Sequence, residues 1–177
     1  TAENEICHSS ESKLINISEN GNVTDEINHG HGVTDWGERF YSPYVDATGW
    51  PPFNLEEFSI QTGVKNFNLG FIVDRTGTAC EASWGGYYGI DGWTEAGDFM
   101  FPLIANNEIA NLRQLGGDIM VSIGGGPSNF PLASACTEVD HLVEQYQAII
   151  DEYDLNHLDF DIEGIWVLDI EAKSRQS

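Results

Sequence analysis

The chain has 177 residues, enough for one domain with a substantial core. Seven basic residues against 29 acidic ones leave a formal charge of −22, which repels nucleic acid and anionic membrane, both gripped through Lys and Arg. The acids are spread along the chain, so they read as solubility or adaptation to high salt and suit a neutral or cationic partner. No apolar run is long enough to cross a bilayer as a helix. The chain shows no signal peptide, and its opening at Thr1 without Met reads as a processed or cut end. Cys7, Cys80 and Cys136 have neither CxxC spacing nor a partnering His pair, so no zinc site is expected. One disulfide with one cysteine left over fits an exported protein.

Residues 1–38 are rich in Ser, Glu, Asn, Gly and Thr with weak apolar periodicity, and read as a flexible acidic segment or linker. A first strand is expected in 40-FYSPYVDAT-48, then a helix over 54–63 with Asn54 as N-cap and Gly63 as stop. A second strand fits 66-NFNLGFIVD-74, followed by a loop over 77–93 and a helix over about 99–115. The third strand is 118-DIMVSIGGG-126. A helix over 138–153 then shows Leu142, Tyr146, Ile149, Ile150 and Tyr153 at helical spacing. The fourth strand is 157-HLDFDI-162. Strands alternating with helices call for a parallel α/β sheet. The loop 46-DATGWPPF-53 has Pro and Trp where a dinucleotide fold needs GxGxxG. The polar residues Asp46, Asp74, Ser122 and Glu163 fall toward strand C-terminal ends, the rim that carries active sites in barrels. The expected fold is a TIM (β/α)8 barrel.

Along a strand, side chains alternate faces, so Asp159, Asp161 and Glu163 project to one side and line the barrel interior. Leu158, Phe160 and Ile162 project to the other side, beneath a covering helix. Neighbouring acids have Cα atoms about 6.6 Å apart. Carboxyl groups this close cannot all ionise freely, and one is expected to hold a proton near neutrality, as a general acid requires. Oxygen-rich clusters also suit Mg²⁺ or Ca²⁺, but no phosphate-handling loop or helping base lies nearby, so metal ranks lower. A lone acid here would read as a cap or a solvated group. Three on one face read as chemistry.

The stretches SIGGG at 122–126 and NHLDFDIEG at 156–164 resemble the SxGG and DxxDxDxE signatures of glycoside hydrolase family 18 chitinases. The segments 41-YSPYVDATGWP-51, 80-CEASWGGY-87 and 112-LRQLGGDIMVSIGG-125 resemble the chitinase D-like bacterial group. Asn156 departs from the pattern, standing where the first Asp would be; that position supports the site from low in the barrel. The resemblance implies hydrolysis of β-1,4-linked N-acetylglucosamine polymers by a retaining, substrate-assisted mechanism with no cofactor and no metal. It makes Glu163 the general acid and base, and has Asp161 orient the acetamido group. Asp159 would share a proton with Asp161, and Ser122 would hydrogen-bond that pair. Two roles fit Tyr44, a further partner of the pair and core packing. Among loop aromatics, Trp50 could stack on sugar, and Trp84 fits a structural or a substrate-binding role. Cys80 and Cys136, both in βα loops at one end of the barrel, are the expected disulfide. His157 is expected to face inward in core contact.

Only four strands are legible, against the eight and about 250 residues of a whole barrel. Residues 39–177 therefore read as the first half of a catalytic barrel, cut in its fourth helix. The expected partners are chitin or N-acetylglucosamine oligosaccharides outside the cell. Self-association through exposed half-barrel edges is expected as well, with weak or no hydrolysis by the half alone. Two alternatives share the motif: an endo-β-N-acetylglucosaminidase acting on N-glycans, and a non-catalytic chitin-binding, lectin-like barrel. Glu163 argues against the second, since relatives of that kind usually lose this acid.

Overall fold

The computed structural model describes residues 29–32, 35–76, 79–126 and 130–176. Most of the segment expected as a linker, 1–28, lies outside the described residues. Four strands run parallel in the order β1 (Tyr44–Asp46), β2 (Asn66–Asp74), β4 (Asp118–Gly125) and β5 (Leu158–Ile162). A short β3 (Ala82–Trp84) pairs antiparallel with the end of β2. All eight residues of β4 are buried, as expected of a central parallel strand covered on both faces.

Helices connect the strands. Helix α1 (Leu55–Thr62) starts where the sequence predicts: Asn54 accepts a hydrogen bond from the Glu57 amide at 2.6 Å. It stops at Gly63, whose φ of +79° favours a residue without Cβ. The predicted helix over 99–115 is instead two short ones, α2 (Pro102–Ala105) and α3 (Glu108–Gln114). Asn107 between them takes a left-handed φ of 56°, a conformation Asn tolerates and a helix cannot continue through. After β4 come α4 (Leu132–Ala135) and the long α5 (Val139–Tyr153), which buries Leu142, Ile149 and Tyr153. A 3₁₀ turn (Gly164–Leu168) and α6 (Ile170–Gln176) follow β5.

Three further features differ from the sequence reading. Residues 29–36, placed in the linker, include packed chain: His29 and Trp36 are buried. Arg113 explains this, donating to the His29 and Gly30 carbonyls at 3.2 and 2.9 Å and to Asp118 at 2.8 Å. The Trp36 indole donates to the other Asp118 oxygen at 3.1 Å. The expected loop over 77–93 contains β3. Finally, Phe160, expected beneath a covering helix, is 45% exposed. Among the described residues β5 is an edge strand, and Tyr146 of α5 meets the Phe160 ring only edge-on at 5.4 Å.

The Cys80–Cys136 disulfide is present, with sulfurs 2.08 Å apart. It ties the loop after β2 to the end of α4 across 56 residues, a closure worth about 4 kcal/mol in the chain-entropy account.

Candidate active site

The acids stand at the end of β5. Asp159 and Asp161 alternate onto one face, and Glu163, just past the strand, keeps an extended backbone (φ −119°, ψ 165°) that carries the alternation on. The glycines of 122-SIGGG-126 have a specific use. Gly124 pairs with Asp161, and a Cβ on it would lie 2.2 Å from the Asp161 carbonyl oxygen. Its φ of +117° also favours glycine. The acidic strand thus rests directly against bare β4 backbone.

Register then sets the contacts. Ser122 on β4 pairs with Asp159 on β5, and its hydroxyl donates to Asp159 Oδ2 at 2.7 Å. Tyr44 on β1 donates to the same oxygen at 2.6 Å, and the Asn68 amide on β2 at 3.0 Å. Burial pushes the Asp159 carboxyl up, but hydrogen bonds from Tyr44, Ser122 and Asn68 outweigh it, leaving this acid below the usual range. Asp161 moves the other way: burial raises it first, then the Glu163 charge, a hydrogen bond with Glu163, and the Asp159 charge. Tyr44 is pushed up to about 12, by burial and then by its bond to Asp159, so its hydroxyl remains a donor.

The sequence reading had the shared proton between Asp159 and Asp161. In the structure Asp161 is hydrogen-bonded to Glu163, while three donors meet on Oδ2 of Asp159. Ser122 binds Asp159 alone of the pair. Between its two expected roles, Tyr44 takes that of a site partner, since it is 54% exposed and bonded to Asp159. Asn68 is a site residue the sequence reading missed. Its only local sign is a polar side chain inside an apolar strand.

The other predicted residues divide. Trp50 is 83% exposed in the loop after β1, free to meet a ligand. Trp84 is fully buried, which overturns the substrate-binding alternative. As part of β3 it turns into the outer layer, where its indole donates to the Tyr153 hydroxyl at 2.9 Å and packs on Phe101. His157 stacks on Trp36 at 4.5 Å, a packing contact. Asp46 and Asp74 organise their own loops: Asp46 accepts from the Thr48 amide, and Asp74 from the amides of Thr76, Ala79 and Glu81.

One carboxylate pinned as an anion beside a second that resists ionising, with a third bonded to it at the strand tip, is an arrangement for moving a proton. Comparison with known proteins agrees with the fold and the motifs. No family model matches the chain. It is 37% identical over 142 residues to a probable bifunctional chitinase/lysozyme of Escherichia coli (strain K12), covering 80% of this chain and 15% of that protein. It is 38% identical over 133 residues to endochitinase 11 of Metarhizium anisopliae, covering 75% and 23% respectively. A solved structure of active domain 2 of a thermostable chitinase from Pyrococcus furiosus, a catalytic-site mutant complexed with chito-oligosaccharides, superposes with a TM-score of 0.61. That match is 26% identical and covers 83% of this chain and 46% of the other. The parallel sheet is thus part of a TIM-barrel type fold, and the chain has glycoside hydrolase family 18 chitinases as homologues in sequence and in structure. It spans less than a quarter of the two curated relatives and under half of the solved domain.

Proposed function

We propose that this chain carries the acid–base centre of a chitinase, working by a retaining mechanism in which the substrate's acetamido group is the nucleophile. The graded trio carries the reading: Asp159 held ionised by three donors, Asp161 raised, and Glu163 bonded to Asp161 at the exposed strand tip. Glu163 gives its proton to the glycosidic oxygen as the C1–O bond breaks. The acetamido carbonyl oxygen attacks C1 and closes an oxazolinium ring. Asp161 accepts from the acetamido N–H and offsets the positive charge that develops there. Water then attacks C1 and returns a proton to Glu163, the ring opens, and C1 recovers its configuration. The balance is one glycosidic bond and one water converted into two hydroxyl ends.

Chitin oligomers are the proposed substrate, supported by the chitinase relatives and by the likeness to a domain solved with chito-oligosaccharides. The stretches 41–51, 80–87 and 112–125 support the chitinase D-like group. Four parallel strands among the described residues, against eight in a closed barrel, support full activity only when further strands complete the cup. On this reading residues 39–177 form its first half. The Cys80–Cys136 disulfide supports a secreted protein.

The test is an assay of the protein expressed from its full reading frame, on chito-oligosaccharides and on an N-glycosylated protein. The expected result is cleavage of the oligosaccharides with the β-anomer released first. Preferential cleavage of the glycoprotein would transfer the assignment to an endo-β-N-acetylglucosaminidase. Binding of chitin without turnover would transfer it to the lectin-like reading.

A further inference from the structure

Asn68 is buried on the inner side of β2, and its amide reaches Asp159 on β5 although β4 lies between the two strands. The register explains the reach. Asn68 sits level with Met120, two residues below Ser122, and Ser122 is level with Asp159. The amide therefore crosses diagonally over β4 to the oxygen that Ser122 approaches from beside it. Tyr44 and Ser122 are hydroxyls, and a hydroxyl turns from donor to acceptor by rotating its proton. The Asn68 nitrogen can only donate; to become an acceptor here the whole side chain must flip within a buried setting. Of the three groups on Asp159 Oδ2, Asn68 is the one that does not adapt to a proton arriving on that oxygen.

We propose that Asn68 is a positioning residue of this site: fixed across β4, its amide holds Asp159 Oδ2 as an acceptor and keeps the mobile proton of the trio on the Asp161–Glu163 side. This rests on the acid–base assignment of those two residues. Among the described residues, the groups facing Asp159 are Tyr44 from β1, Asn68 from β2, Ser122 from β4 and Asp161 on β5 itself. His157 below it is taken up by Trp36. The lowered Asp159 carboxyl agrees with this arrangement, with burial opposing the shift and the three donors overcoming it.

The experiment compares Asn68→Leu, close in shape but without a donor, with the unsubstituted full-reading-frame protein across pH. Losing one hydrogen bond to a carboxylate raises the acid limb of kcat/KM by about one pH unit, with KM nearly unchanged at the plateau. Asn68→Asp, which sets a second carboxyl against Asp159, moves the limb further in the same direction. A merely structural role lowers the rate by one factor at every pH and leaves the limb in place, which overturns the proposal. A second measurement needs no turnover: the ¹³C titration of the Asp159 carboxyl in a Glu163→Gln background, with and without Asn68→Leu. An upward move of that titration supports the role of Asn68 even where the acid–base assignment fails. An unchanged titration overturns it.

Discussion

Asp161 resists ionisation because it is partly buried and because Glu163 and Asp159 are near it with the same charge. Its folded value lies above the unfolded aspartate value of about 3.9. The folded state therefore binds more protons than the unfolded one in that window. Stability falls as pH rises through it and stays lower above it. Asp161→Asn removes the burden, so its Tm should exceed that of the unsubstituted protein at pH 7 and converge with it below about pH 3. Turnover should fall by about 10² or more, because the acetamido group loses its carboxylate. An unchanged or lower Tm at pH 7 contradicts the charge argument. The trio was legible in the sequence because the two-residue period of a strand is local: Asp159, Asp161 and Glu163 alternate with Phe160 and Ile162 within one short stretch. Asn68 was not, because its contact depends on the stacking order of three strands and on their register.

At the scale of elements, the sequence reading held where a cap or an apolar period marks a helix, and failed at Asn107, which splits the helix expected over 99–115. Helix α1 lies between its Asn54 cap and Gly63, and α5 follows its apolar spacing. It was incomplete wherever a distant partner decides. Strand β3 owes its place to pairing with Ile72–Asp74, and Trp84 owes its burial to Tyr153, 69 residues away in sequence. His29, Gly30 and Trp36 are held by Arg113 and Asp118, which no local pattern announces. The two tryptophans of the sequence reading should accordingly separate in experiment. Trp84→Ala removes a fully buried indole and should cost about 3–5 kcal/mol of stability, read by denaturant unfolding. Trp50→Ala should leave stability within about 0.5 kcal/mol. It should raise KM for chito-oligosaccharides about fivefold, the equivalent of one lost stacking contact of about 1 kcal/mol. A stability loss at Trp50 without a change in KM would contradict its placement as a free, ligand-facing ring.

For the whole molecule, what matters is the open sheet. Among the described residues, β1 and β5 each pair with a strand on one side only. On β5 and just after it, Phe160, Ile165, Leu168 and Ile170 are exposed, the last two at 78% each. An unpaired edge next to apolar surface pairs readily with another chain, against the self-repulsion of a −22 charge. The 177-residue chain by itself should therefore associate, increasingly as salt screens that charge, and should show little hydrolysis. Sedimentation velocity in low and high salt checks this; a monomer in both, unfolding cooperatively and cleaving oligosaccharides at full rate, contradicts it. Reduction of Cys80–Cys136 should weaken the fold by about 4 kcal/mol in the same chain-entropy account.

The most direct measurement is Glu163→Gln in the full-reading-frame protein, with chito-oligosaccharide binding and turnover followed side by side. A proton donor placed at the tip of β5 predicts turnover reduced about 10²–10⁴-fold while binding persists. Turnover within a few-fold of the unsubstituted protein would mean that the bond-breaking proton comes from somewhere other than this acidic strand.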